Sequence, residues 1–99
     1  MPTYISLVNF TQQGIEKIKE SPARLDSVKK LYEAAGGKLL QFFLVMGRYD
    51  VVVIGEAADD RAAAKIALTY GSKGAVRTET FRAFTEDEYR KIIAELPQN

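Results

Sequence analysis

Leu39-Leu40-Gln41-Phe42-Phe43-Leu44-Val45-Met46, then Gly47-Arg48-Tyr49-Asp50, then Val51-Val52-Val53-Ile54 form two apolar runs joined by four residues led by glycine. Each run is too short for a typical helix and rich in β-branched or aromatic side chains, so each reads as a strand. A short polar segment with Gly, Tyr and Asp between two such runs reads as the turn of a β-hairpin. Strand two is expected over 38–46 and strand three over 50–57. Gly47 is expected to serve the turn through a positive φ.

Upstream, Thr3 to Phe10 alternates and reads as strand one. Thr11 is placed to cap a helix over Gln12 to Lys19, which Gly14 weakens. Ser21-Pro22 restarts the helix, since proline fits its first position. Leu25, Val28, Leu31, Tyr32 and Ala35 make one apolar stripe, and Gly36-Gly37 closes it. Downstream, Asp59 or Asp60 opens an alanine-rich helix that ends near Gly71. Strand four is expected over 75–81. Thr85 and Glu88 then make a capping box for a last helix with the stripe Tyr89, Ile92, Ile93 and Leu96.

The order β-α-β-β-α-β plus a C-terminal helix is the ferredoxin-like plan, an α+β fold of one four-stranded antiparallel sheet. One domain is expected over residues 1–99. Strands one and three belong at the centre, with both crossover helices on one face. The other face should then be polar, because antiparallel sheets alternate when one side meets water. Strand three does not alternate: Val51 to Ile54 are all apolar. In strand two, regular alternation puts Leu39, Phe43 and Val45 on one side and Leu40, Phe42, Leu44 and Met46 on the other. An apolar sheet face left bare invites aggregation. A second copy, sheet against sheet, is the expected cover, because two-fold dimers are the commonest oligomers. The last helix folded under the sheet is the alternative.

Composition removes whole classes of chemistry. The 99 residues contain no Cys and no His. That excludes disulfides, thiolate nucleophiles, imidazole bases and the usual zinc and haem ligand sets. No cofactor and no metal are expected. The net charge of +1, from 14 basic and 13 acidic residues, carries no basic stripe. No nucleic-acid partner is therefore expected. No apolar run reaches the roughly 18 residues of a membrane span, and Met1-Pro2-Thr3-Tyr4 lacks the marks of a signal peptide. A soluble, cytoplasmic protein without a membrane partner is expected.

The candidate ligand-binding residues are Tyr4, Tyr49, Asp50, Thr78 and Thr80. Tyr49 offers an aromatic face with a polar tip, and Asp50 an acceptor for an ammonium, a hydroxyl or nearby backbone N–H groups. Arg48 belongs in solvent. Thr78 and Thr80 share a face of strand four, where their hydroxyls could line a pocket; Arg77 and Glu79 share the other, as charged guards of an edge strand. Tyr4 and Ser6 share a face of strand one, and Asn9 lies on the opposite one. Arg24 opposes the dipole of its helix and is expected to pair with an acid or an anion. Gly71-Ser72-Lys73-Gly74 follows a helix rather than preceding one, which is the wrong end for a phosphate.

The chain resembles the GYD-domain family, which takes its name from the pattern seen here as Gly47-x-Tyr49-Asp50. The resemblance extends through Tyr4-Ile5, Asn9, Thr11-x-x-Gly14, Arg24, Gly36-Gly37 and Arg77-Thr78-x-Thr80-x-x-Ala83-Phe84-Thr85. It implies a small bacterial or archaeal protein of dimeric α+β-barrel type and no particular reaction. Residues 47–81 are also similar to the amino-acid-sensing domain of Lrp/AsnC regulators, which implies a small effector held between subunits. Residues 1–46 are occupied by the first half of the fold, leaving no helix-turn-helix there. Cofactor-free enzymes of the dimeric α+β-barrel type resemble the plan as well, and the missing histidine counts against that reading. The leading expectation is an oligomeric domain that binds or senses a small molecule. An enzyme acting on a small apolar or aromatic substrate, with Tyr49, Asp50 or Arg77 as its acid, base or anion clamp, and a structural assembly subunit stay open.

Overall fold

The computed structural model describes residues 1–98. Strand β1 (Thr3–Phe10) leads into helix α1 (Gln12–Glu16), a 3₁₀ turn (Ile18–Glu20) and helix α2 (Ser21–Ala34). Strands β2 (Lys38–Leu44) and β3 (Val51–Glu56) form the hairpin. Helix α3 (Asp60–Gly71), strand β4 (Val76–Ala83) and helix α4 (Glu86–Ala94) follow. The four strands form one antiparallel sheet in the order β2-β3-β1-β4, so β1 and β3 are central as the pattern predicts.

Local signals explain most boundaries. The Thr11 side chain accepts the Gly14 N–H at 3.1 Å, and the Asp59 side chain accepts the Ala62 N–H at 2.8 Å. The Thr85–Glu88 capping box closes in both directions, at 2.9 and 3.2 Å. Gly36 carries φ +78° at the end of α2, the left-handed residue that stops it. Ser21 lies within α2 and does not cap it through its side chain.

Directly opposed residues share a sheet face, so the register sorts the side chains. Tyr4, Gly55 and Arg82 lie in one row; Phe42, Val53, Ser6 and Thr80 in the next; Leu44, Val51, Val8 and Thr78 in the third. This is the helix-side face. Tyr4, Ser6, Val8, Val51 and Val53 are buried there, under Tyr32 from α2 and Ala63, Ile66 and Tyr70 from α3. Gly55 is needed for the fit: a Cβ on it would sit 2.5 Å from the Tyr32 ring. The opposite face carries Ile5, Leu7, Phe43, Val52, Ile54 and Phe81, and among the described residues no helix lies on it. Phe43 and Phe81 remain 49 % and 43 % exposed.

The structure changes four readings of the sequence. A bulge between Leu39 and Gln41 breaks the regular alternation of β2, which puts Leu39 on the helix side with Phe42 and Leu44 and leaves Phe43 opposite. β2 stops at Leu44, and residues 45–50 form a wide loop rather than a tight turn. Gly47 does not take a positive φ, because the wide loop demands none. The last helix does not fold under the sheet. No residue of α4 is buried, and Tyr89, Ile93 and Leu96 are about half exposed. The radius of gyration is accordingly 15.3 Å, above the roughly 13 Å of a compact domain this long.

Candidate functional site

The structure puts Tyr4, Thr78 and Thr80 on the helix-side face of the sheet and Tyr49 and Asp50 in the hairpin loop. Tyr4 sits in the core at 4 % exposure, and its hydroxyl donates to Asp60 Oδ1 at 2.5 Å, joining β1 to the first turn of α3. Thr80 Oγ1 lies 2.7 Å from Ser6 Oγ across the β1–β4 ladder. Ser6 is the buried polar residue on that row, and Tyr32 and Tyr70 descend beside it from the helices. Thr78, one row along, faces Val8.

Asp50 holds the loop to the sheet. Its Oδ2 accepts the Phe10 N–H at 2.9 Å, its own N–H donates to Val8 O at 2.9 Å, and its carbonyl accepts the Val45 N–H at 2.9 Å. The Phe10 N–H lies past the end of the β1–β3 pairing, so the carboxylate supplies an acceptor that the ladder does not. Asp50 thus takes backbone donation from β1 rather than from its own turn. Asp50→Ala is expected to cost about 1–3 kcal/mol by stranding this donor, with Asp50→Asn milder because an acceptor oxygen remains. Urea unfolding reads the difference.

Tyr49 turns the other way. Its hydroxyl donates to Glu79 Oε2 at 2.7 Å, on the open-face side of β4, and this hydrogen bond holds the phenol above its ordinary range. A recess of about 740 Å³ lies along this end of the sheet, bordered by Asn9, Tyr49, Arg77, Thr78 and Glu79 among others. It brings Tyr49 and Thr78 to one recess. Tyr4, Asp50 and Thr80 do not line it. Arg48 is exposed, as expected. Arg24 makes no ion pair with an acid among the described residues; its guanidinium donates to Lys17 O at 3.1 Å and to Gly14 O at 3.4 Å. These carbonyls, at the end of α1, supply the negative dipole that the arginine lacks on its own helix.

The tyrosine cluster was hidden in the sequence, where Tyr32 reads as one member of a stripe and Tyr70 as a helix end. The glycine at position 55, in a run of β-branched residues, was the available signal for a large ring packed on the sheet. Burial raises Tyr32 to about 12, reinforced by Tyr70 and opposed by the Ser6 hydroxyl. Tyr4 is also raised to about 12, by burial first and then by its bond to Asp60. A phenol whose folded pKa lies above its unfolded value stabilises the fold below about pH 10 and loses that contribution as pH rises through its folded value. Stability is therefore expected to fall between about pH 10 and 12, and Tyr32→Phe to flatten that fall in pH-dependent urea unfolding.

Among the described residues, no group of three or more His, Cys, Asp or Glu could hold a metal ion, and no helix is long and apolar enough to cross a membrane. A second cavity, of about 410 Å³ and mainly apolar, opens between α2 and the helix-side face of the sheet.

Comparison with known proteins places this architecture. The GYD domain model matches residues 4–93. A curated relative from Thermus thermophilus, the glutamine synthetase and cystathionine beta-lyase binding protein, is 34 % identical over 84 residues, covering 84 % of this chain and 88 % of the relative. Among solved structures, the feast or famine regulatory protein of M. tuberculosis, complexed with L-methionine, superposes with a TM-score of 0.65 at 15 % identity. The match covers 86 % of this chain and 51 % of that one, so the chain spans about half the regulator's length. The 30S ribosomal protein S6 of Thermotoga maritima superposes with a TM-score of 0.66 at 19 % identity, over 95 % of this chain and 98 % of the other. At these identities the two structures share the ferredoxin-like fold with this chain.

Proposed function

We propose, from the premise that the chain belongs to the GYD domain family, that it is a self-associating domain that binds a small molecule and catalyses nothing itself. One observation carries this reading: the open sheet face presents Ile5, Leu7, Phe43, Val52, Ile54 and Phe81 with no helix over them. A contiguous apolar face of this kind marks an interaction surface. Two copies placed face to face bury it and wall the recess beside Tyr49, Asn9, Arg77 and Glu79. A ligand held there shifts the equilibrium between free and paired chains. Tyr4, Asp50 and Thr80 act in this reading by fixing the strands and the loop around that recess.

The titration behaviour agrees with a binding role. Tyr4, Tyr32, Tyr49 and Tyr70 are all pushed up, and Glu88 is pulled down by its bond to the Thr85 backbone; each moves away from neutrality, where a general acid or base works best. Because a regulator of this fold is complexed with L-methionine, amino acids head the ligand screen. A true ligand at a hundred times its dissociation constant adds about 2.7 kcal/mol of stability. Thermal-shift screening of amino acids and other small metabolites is expected to yield such a compound, and Tyr49→Phe to weaken it. Failure of every compound to stabilise the protein, together with a packed, dry inter-sheet space in a crystal, would refute the proposal.

A second reading is favoured by the curated relative, whose name records binding to two enzymes of amino-acid metabolism. Helix α4 offers the unburied stripe Tyr89, Ile92, Ile93 and Leu96 to such a partner. Capture of purified glutamine synthetase or cystathionine beta-lyase by the wild-type chain, and its loss in Ile92→Glu, supports this reading. No capture of either enzyme counts against it.

A further inference from the structure

Helix α2 is clamped to the sheet at one end and stands away from it at the other. Near its C-terminus, Tyr32 is buried on Gly55, where a side chain would collide with the ring. Toward its N-terminus, Leu25 and Val28 face the sheet but are only partly buried, and Phe42 on the sheet below is 37 % exposed. The gap between them is the cavity of about 410 Å³. We infer that this wedge is a binding site for an amphipathic monoanion: an apolar chain or ring carrying one carboxylate. The inference rests on the reading of the chain as a small-molecule-binding domain and adds to it a site separate from the recess beside Tyr49, with its ligand class.

Three observations fix that class. The volume falls in the range of ligand pockets, about 300–1,000 Å³. The walls are apolar, contributed by Val8, Phe10, Val28, Phe42, Val53 and Val76 among others, and such walls give water few hydrogen-bond partners. The charged groups that line it are Arg24, Lys73 and Glu20. Arg24 is held in place by two backbone carbonyls, and neither Arg24 nor Lys73 has a carboxylate within 4.0 Å among the described residues. Two cations against the single Glu20 carboxylate leave one net positive charge in the lining, which suits one negative head group rather than an amine or a dianion. The guanidinium also presents N–H donors in the planar geometry that a carboxylate accepts.

The test uses the full chain and three probes with the same tail: decanoate, decanol and decylamine, each below its micelle concentration, read by calorimetric titration at neutral pH. Decanoate is expected to bind at least about tenfold tighter than decylamine. Arg24→Gln combined with Lys73→Gln is expected to erase that preference. Val28→Trp fills the wedge from α2 and is expected to abolish decanoate binding at unchanged helix content. Should that variant fail to fold, Ser27→Trp at the exposed mouth blocks the same space. Decylamine binding as tightly as decanoate, or decanoate binding undiminished in the folded tryptophan variant, overturns the inference. Loss of decanoate binding in Ile54→Lys, a change on the opposite sheet face, also overturns it. Stabilisation by an amino acid without any decanoate binding overturns this site alone and leaves the broader binding role standing.

Discussion

Ile54→Lys is expected to yield a folded monomer. Ile54 sits at the middle of the open face, opposite Ile5 on β1 and Gln41 on β2. Within one copy the lysine has water above it, because no helix covers this face, so circular dichroism should match the wild type. In a face-to-face pair the ammonium is buried without a counter-ion. Each copy brings one such charge, and a single unpaired charge in such an interface costs about 3–5 kcal/mol, so association weakens by at least about two orders of magnitude. Light scattering is expected to read the 11.0 kDa subunit alone. A variant that pairs as tightly as the wild type would show that copies meet elsewhere.

Gly14→Ala carries the other large effect, on stability. Gly14 is buried where α1 crosses the entry to β4, and a Cβ there would lie 2.0 Å from the Ala75 carbonyl oxygen. The obstacle is backbone that is itself held, since Ala75 O accepts the Thr11 N–H at 3.0 Å. No rotamer relieves the clash, so α1 must lift from the sheet and break the Thr11 bonds to residues 74 and 75. A loss of about 3 kcal/mol or more is expected, at the upper end of overpacking costs. Gly47→Ala is the contrasting control. Its Cβ meets nothing within 4 Å and its φ is not positive, so stability should change by under about 1 kcal/mol. Denaturant midpoints for the two variants give the comparison directly. Equal effects would contradict the account of both glycines.

Much of the fold was legible because local and global signals agree. The apolar runs around residues 47–50, the caps at Thr11, Asp59 and Thr85, and the glycines after α2 each specify one element, and together they force the topology. What the sequence concealed depends on tertiary fit. The bulge at Leu39–Gln41 leaves the hydrophobic pattern of β2 unmarked, because residues 39, 40, 42, 43 and 44 are apolar in either register. Arg24 found backbone carbonyls in place of an acid because α1 ends beside it, a contact that spacing does not announce. The candidate site was legible only by residue type. Tyr49 and Thr78 do border one recess, yet Thr78 shares the helix-side face of the sheet with Tyr4 and Thr80, and Asp50 holds β1 to the loop. The wedge under α2 follows from where one helix end stands off the sheet, which no periodicity encodes.

The central claim is that the uncovered sheet face pairs with itself. Sedimentation equilibrium of the wild-type chain at micromolar concentration tests it most directly. A mass of at least twice the 11.0 kDa subunit is expected, with Ile54→Lys returning it to one. A wild-type mass of a single subunit across that concentration range would contradict it.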